Sequence, residues 1–219
     1  MKMKNLILTF LLGILLIFSG CFDITEEITF NKNGSGTTRI TVDLTNMMSM
    51  FSMFMPDSVK ENMDVNQIMG GDMSKYSKMN GISNVRSERL DEYKYAISYD
   101  FSSIDVLNKV LESNTESETG LGKMATKYQA KKGKVYRQTE FTATDAHDEH
   151  GMDEYMELFS MTDKPKYRVV YHFPSKIKKT KIKGVTPVTV KEGNTITMEY
   201  NLMDFVESGG KVMDHYIKY

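Results

Sequence analysis

The chain has 219 residues, with 28 lysine and arginine residues against 29 aspartate and glutamate residues, so its formal net charge is −1 at pH 7. This balance excludes the strongly basic composition of a typical nucleic-acid-binding protein and the lopsided charge of a disordered chain. With 40% hydrophobic residues, the chain is long enough to bury the core of one domain or of two small ones.

The first twenty residues have the three-part layout of a bacterial export signal. Lys2 and Lys4 form a short positive region, a mostly apolar run follows over 6–18, and the small residue Gly20 ends the segment. The apolar run has 13 residues. It is therefore shorter than the roughly 20 residues that a membrane-spanning helix needs. We predict a signal peptide over 1–20.

Cys21 is the only cysteine in the chain, so no intramolecular disulfide can form. The sequence FSGC at 18–21 resembles the lipobox of bacterial lipoproteins. The resemblance implies cleavage between Gly20 and Cys21, diacylglycerol transfer to the cysteine sulfur, and acylation, for example with palmitate, of the new amino group. Two or three acyl chains give stable membrane anchoring. We predict an exported domain over 21–219, anchored outside the cytoplasm, and at the outer membrane if the cell has one, because Phe22 is not an aspartate.

Strand patterns dominate the exported part. Apolar and polar side chains alternate in a series of segments, and residues that tolerate positive φ connect several of them. The predicted strand segments are 23–32, 40–44, 82–90, 92–101, 123–141, 167–173 and 187–200. The predicted turns are NKNGSG at 31–36, Lys132-Gly133 within 123–141, and Gly193-Asn194 within 187–200.

Helical patterns separate the strands. They cover 46–55, 57–69, 103–111 and 153–161. In the third, Ser103 can cap a helix that places Ile104, Leu107 and Val110 on one face. Because the strands arrive as consecutive hairpins, we predict an α+β domain with a mainly antiparallel sheet and several short helices on one face. The polar segment 113–122 is predicted to be a flexible loop.

Both ends of the exported part contain characteristic series of strands and turns. After the lipobox cysteine, a strand ending in NKNGSG is followed by ITVDLT, over 31–45. Late in the chain, YRVVYHFPSKIKKTKIKG (167–184) precedes NTITMEYNLMDF (194–205). Together with the lipobox cysteine, these segments resemble LppM-type lipoprotein domains. The resemblance implies a lipid-anchored envelope protein with an α+β sheet domain, for which a lipid-binding role has been proposed. It implies no catalytic residue.

A methionine-rich helical insertion is predicted over 47–79, and its start, NMMSMFSMFM, has five methionines in ten residues. At ~100° per residue, six apolar side chains of this stretch fit a helical arc of about 160°. These six residues form a candidate apolar-ligand surface: Met47, Met48, Met50, Phe51, Phe54 and Met55. Core packing is the first interpretation, and an adaptable groove for a lipid tail or an amphipathic partner is the second. Binding of Cu(I) by thioether sulfurs is the third.

Two polar clusters have simpler interpretations. His147 and His150 lie among acidic residues over 145–153, where we favour exposed histidines beside a helix start over a divalent-metal site, since no HExxH signature is present. Basic residues recur over 164–183. There we favour an ordinary solvated face over contact with anionic lipid headgroups or surface polymers.

The chain has no GxSxG elbow, P-loop or dinucleotide fingerprint. We therefore predict a non-catalytic envelope lipoprotein with a binding or structural role, which recognises lipid or an apolar partner and needs no cofactor, metal or nucleic acid. Soft-metal binding, of copper, through the methionine-rich segment is the alternative prediction. An unfamiliar active site is the third.

Overall fold

The computed structural model describes residues 23–52, 74–115, 123–142, 165–202, 204 and 213–219. These residues form eleven strands, two helices and a single turn of helix. The strands are β1 (Asp23–Phe30), β2 (Gly36–Asp43), β3 (Ile82–Asp91), β4 (Lys94–Phe101), β5 (Lys123–Ala130), β6 (Lys134–Thr142), β7 (Lys166–His172), β8 (Lys179–Gly184), β9 (Val188–Glu192), β10 (Thr195–Asn201) and β11 (Met213–Lys218). The helices are α1 (Thr45–Ser52) and α3 (Ile104–Thr115), and the single turn is α2 (Ser74–Ser77).

The strands form two sheets. The larger sheet has seven strands in the order β3-β4-β2-β1-β7-β10-β9, and the smaller has four in the order β5-β6-β11-β8. Neighbouring strands are antiparallel except for β1 and β7, which are parallel. One hydrophobic core lies between the sheets and includes residues from both.

The predicted α+β class, with several short helices on one face of a mainly antiparallel sheet, is wrong. The described fold is mostly β and has two sheets. Alternation identifies a strand from local sequence, whereas the choice of neighbouring strand depends on long-range packing. The four-stranded sheet covers the inner face of the larger sheet, which is the role that the prediction gave to helices.

The predicted helices have different outcomes. Helix α3 confirms the helix predicted over 103–111, and it extends into the segment 113–122 that was predicted to be a loop. Helix α1 covers the first part of the predicted 46–55 helix. The helices predicted over 57–69 and 153–161 lie outside the described residues.

The predicted hairpins agree well with the structure. The β5–β6 turn contains Lys132 at φ 40° and Gly133 at φ 71°, and the β9–β10 turn contains Gly193 at φ 61°. All three residues occupy the left-handed region that tight hairpin turns require. The apolar positions that alternate in the predicted strands 167–173 and 187–200 include six buried residues: Tyr167, Val169, Tyr171, Ile196, Met198 and Tyr200.

Aromatic rings fill the middle of the core. The Phe30 ring of β1 lies 6.1 Å from the Tyr128 ring of β5 and 5.6 Å from the Phe173 ring that follows β7, measured between centroids. Asn108 of α3 holds β5 in place, because its side chain accepts from the Tyr128 amide at 2.8 Å and donates to the Tyr128 carbonyl at 2.9 Å.

Candidate functional site

A buried ion pair joins the two sheets. The Arg137 guanidinium of β6 lies 3.0 Å from the Glu26 carboxylate of β1, and the two side chains are 1% and 7% exposed. Arg137 Nε also donates to the Thr139 hydroxyl at 3.0 Å. Charges removed from water are tolerated only when further hydrogen bonds satisfy them. The surrounding side chains supply these bonds.

Three tyrosine hydroxyls surround this pair. Tyr167 donates to the Glu26 carboxylate and accepts from Arg137 at 2.6 Å. Tyr171 accepts from Arg137 at 3.4 Å and lies 3.1 Å from the Tyr128 hydroxyl. Burial raises the pKa of Tyr171 to about 12, so its hydroxyl keeps its proton at neutral pH.

His215 of β11 completes the group. Its Nε2 lies 2.6 Å from the Tyr171 hydroxyl and its Nδ1 lies 3.4 Å from the Tyr200 hydroxyl. Burial, together with the nearby charge of Arg137, holds the pKa of His215 well below its usual value. The imidazole is therefore neutral at pH 7.

We call these seven residues the buried network: Glu26, Tyr128, Arg137, Tyr167, Tyr171, Tyr200 and His215. Side chains of these types can perform acid–base chemistry where a substrate reaches them. Here each of them is buried and hydrogen-bonded or ion-paired to another member of the network. The arrangement connects β1, β5, β6, β7, β10 and β11 across the interface between the sheets.

The opposite face of the four-stranded sheet points away from the core. Tyr136 of β6 pairs with Tyr216 of β11, which in turn pairs with Lys181 of β8. Gln129 of β5 lies on the other side of Tyr136. The two tyrosine rings are 4.8 Å apart between centroids with a tilt of 47°, and Tyr136 is 38% exposed.

Lysines dominate this outward face. Paired residues in a sheet share a face, and so do residues two apart along a strand. By this rule, six lysines whose side chains the structure describes lie on the outward face: Lys127, Lys134, Lys179, Lys181, Lys183 and Lys218. The carboxylates on the same face of these strands are Glu140 and Asp214. We call this surface the basic face.

A shallow groove of about 380 Å³ lies on the basic face. Its walls include Tyr136, Tyr216, Lys181 and Lys183. Arg137 and His215 of the buried network also border it, since they alternate with the outward residues of the same strands. A groove with aromatic rings and cationic side chains can hold a polar, negatively charged ligand.

The predicted apolar-ligand surface is described only in part. Met48 is buried in α1, with 5% of its area exposed, as the core-packing interpretation expects for this residue. The side chains of Met47, Met50 and Phe51, together with all of Phe54 and Met55, lie outside the described residues. The surface and the copper alternative both stay predictions.

Other predicted site residues also lie outside the described part of the chain. These are the lipid attachment and cleavage residues, Gly20 and Cys21, and the histidine cluster over 145–153. The basic segment 164–183 does not form one surface. Lys166 and Arg168 pair with Glu199 on the larger sheet, whereas Lys179, Lys181 and Lys183 lie on the basic face.

Sequence reasoning missed strand β11 and, with it, both the buried network and the basic face. The signal was present in MDHYIK, where Met213, His215 and Ile217 alternate with polar residues and are buried. A histidine in an inward position obscured the alternation. No local signal marks Arg137 as buried, because its partner Glu26 lies on the first strand.

Two features are absent from the residues that the structure describes. None of the helices there is long and apolar enough to cross a membrane. Those same residues contain no group of three or more histidine, cysteine, aspartate or glutamate side chains placed to hold a metal ion.

Comparisons with known proteins give one structural neighbour of note. No family model and no curated protein matches the chain. The structure is similar to the folded domain of the Mycobacterium tuberculosis LppM protein, solved by NMR, with a TM-score of 0.46 and 12% sequence identity over 92% of each chain. These values assign neither family nor function.

Proposed function

We propose that the protein is a lipid-anchored, non-catalytic binding protein of the bacterial cell envelope, attached to a membrane through acylated Cys21. One observation carries the proposal. Strand β1 begins at Asp23, two residues after Cys21, and is paired along its length with β2 on one side and β7 on the other. The anchoring cysteine would therefore be joined to the centre of the larger sheet almost without a linker.

The length of this connection determines which end of the domain meets the membrane. Two residues span at most about 7 Å. Acylated Cys21 would thus hold the end of the sheet that contains Asp23, Asp43 and Lys166 close to the bilayer. Helix α1 starts at Thr45, beside the same end. The methionine-rich segment would begin next to the membrane, which supports recognition of lipid or of an apolar partner.

The state of the buried network supports a role without catalysis. Glu26, Arg137 and His215 are the ionisable members that an acid–base mechanism would use. Each is buried and is hydrogen-bonded or ion-paired within the network. The accessible polar chemistry lies on the basic face, where lysines and tyrosines suit binding.

Acylation of Cys21 tests the proposal directly. The full chain would be expressed in a bacterium that processes lipoproteins, labelled with an alkyne analogue of palmitate, and its N-terminal peptide analysed by mass spectrometry. We expect a mature chain that begins at an acylated Cys21. Cys21→Ser removes the label, whereas the matched variant Ser19→Ala, which keeps a small residue before the cysteine, retains it. A free Cys21 thiol, or a mature chain that begins elsewhere, would contradict the proposal.

A further inference from the structure

We propose that the basic face binds a phosphate-bearing glycan of the cell envelope, with sugar units against Tyr136 and Tyr216 and phosphate groups beside the flanking lysines. The lysines of the basic face indicate that the ligand is negatively charged, and its two tyrosines indicate that the ligand contains a sugar. The choice of a polymer over a membrane rests on the proposed anchoring at Cys21.

The arrangement of the lysines favours an anionic ligand. Lys218 of β11 pairs with Lys134 on one side and with Lys179 on the other, so three ammonium groups stand in one row across neighbouring strands. Like charges placed directly opposite each other in a sheet are destabilising. The two carboxylates on this face leave most of the positive charge uncompensated. A polyanion lying across the strands would remove the repulsion.

The chemistry of the cations favours phosphate. Lysine is a compact point charge that suits phosphate, whereas planar recognition of carboxylates by two parallel hydrogen bonds uses arginine. The cations on the basic face of the described strands are lysines, because Arg137 points into the core. Phosphate groups spaced along a chain would match lysines spaced along β8, at Lys179, Lys181 and Lys183.

The tyrosine pair and the groove favour a sugar next to the phosphate. Tyr136 and Tyr216 offer flat apolar rings with hydroxyl groups, on which the C–H face of a sugar packs. Gln129 and Gln138 border the same groove and supply amide donors and acceptors for hydroxyl groups. The volume of about 380 Å³ is at the small end of the range for ligand sites. It suits a short stretch of a glycan.

The position of the Lys134–Lys218–Lys179 row favours a polymer over membrane headgroups. The Tyr219 ring stacks on the Phe173 ring at 4.5 Å, just beyond the point where His172 pairs with Thr29. Along β1, Thr29 lies about 20 Å from Asp23. Lys218, adjacent to Tyr219, therefore lies near the end of the domain remote from Cys21, and a connection of about 7 Å cannot bring it down to the bilayer that holds the anchor.

Binding would be measured with the mature full-length protein in non-ionic detergent. The soluble probes are phosphorylated dextran, unmodified dextran and inorganic polyphosphate. Neutral vesicles and vesicles that contain anionic phospholipid are compared without detergent, because the difference between them cancels the contribution of the acyl anchor. We expect phosphorylated dextran to bind best, and Lys181→Gln/Lys183→Gln to weaken it about tenfold and to reduce its salt dependence. The matched control Lys32→Gln/Lys191→Gln makes the same charge change at two exposed positions outside the basic face, in the β1–β2 turn and on β9, and should leave binding unchanged.

A second variant tests the contribution of the sugar to binding separately from that of the phosphate charge. Tyr216→Ala should weaken phosphorylated dextran about tenfold and polyphosphate hardly at all. Equal binding of polyphosphate and phosphorylated dextran would overturn the glycan assignment. If binding to anionic vesicles exceeds binding to neutral vesicles and is weakened by Lys181→Gln/Lys183→Gln more than the glycan affinity is, the ligand is a membrane and not a polymer. Equal losses in the control and the face variant would overturn the site. The same assays on Cys21→Ser keep the two proposals apart: a retained glycan affinity without acylation supports this site even if the anchor fails.

Discussion

Strands β6 and β11 contribute to two surfaces of opposite character. Their inward residues Arg137 and His215 belong to the buried network, in which each charge or ring nitrogen meets a polar partner. Their outward residues Tyr136 and Tyr216 lie on the basic face, where lysines stand opposite lysines. Neighbouring residues of one strand therefore differ in their surroundings. The inward residues have polar partners, whereas the outward residues lie among like charges.

The two surfaces differ in their access to water. In the interior a polar group without a partner costs the whole of its desolvation energy, so the network has to be nearly complete. On the surface, water and salt screen the lysines from each other, and an unbalanced set of charges costs little. The buried residues thus determine how the two sheets pack together, while the outward residues can suit a ligand without loss of the fold.

The largest expected effect is the loss of the buried cation. Arg137→Met removes the only partner that carries a positive charge within the network and leaves Glu26 buried without it. We expect the free energy of unfolding to fall by about 3–5 kcal/mol. Denaturant unfolding followed by circular dichroism measures it.

The outward variant Lys181→Met in the same sheet is the matched control. It removes the same charge on the basic face and should change stability by less than about 0.5 kcal/mol. Similar losses in both variants would mean that the ion pair does not hold the sheets together.

A smaller loss is expected from a single hydroxyl. Tyr171→Phe keeps the ring in the aromatic core but removes the oxygen that contacts Tyr128, Arg137 and His215. We expect about 1–3 kcal/mol of destabilisation, because buried polar atoms lose a partner. Tyr216→Phe makes the same chemical change on the basic face and should be nearly neutral in the same unfolding experiment. The distinction between the two surfaces fails if the two variants behave alike.

The pH dependence of stability tests His215. Its pKa is lowered in the folded state, so the unfolded chain binds a proton more readily once the pH falls below about 6.5. The stability contribution is therefore complete above that pH and is lost on acidification, at up to about 1.4 kcal/mol per pH unit. His215→Gln should flatten the decline between pH 6.5 and 5 in denaturant unfolding. If stability declines equally with pH in both proteins, the folded state protonates His215 as readily as the unfolded chain does, and the lowered pKa is wrong.

The parts of the fold that were predicted correctly are those with a local signal. Lys132-Gly133 and Gly193-Asn194 identify their hairpins because tight turns need positive φ. The alternation in 167–173 identifies the buried face of β7 because the side-chain period of a strand is two. These features depend on a few neighbouring residues and can be read without knowing the rest of the structure.

The parts that were not predicted depend on distant residues. Glu26 alternates with Ile24 and Ile28, but its neighbours in sequence do not show that Arg137 of the other sheet pairs with it. Only the meeting of the two charges across the sheets makes their burial acceptable. The basic face likewise combines β5 and β6 with the separate strands β8 and β11. The expected cluster over 164–183 was drawn along the sequence, so it joined Lys166 to Lys181 although they lie on different sheets.

The smallest expected effect has the opposite sign. Lys218→Gln removes the central charge of the Lys134–Lys218–Lys179 row and should raise the free energy of unfolding by about 0.2–0.5 kcal/mol at low salt. The gain should shrink as salt is added, since screening already weakens the repulsion. Lys191→Gln, at an exposed position on edge strand β9, is the matched control and should show a smaller gain. If Lys218→Gln instead lowers the free energy of unfolding, the lysine row stabilises the fold. Repulsion within the row would then be no argument for an anionic ligand.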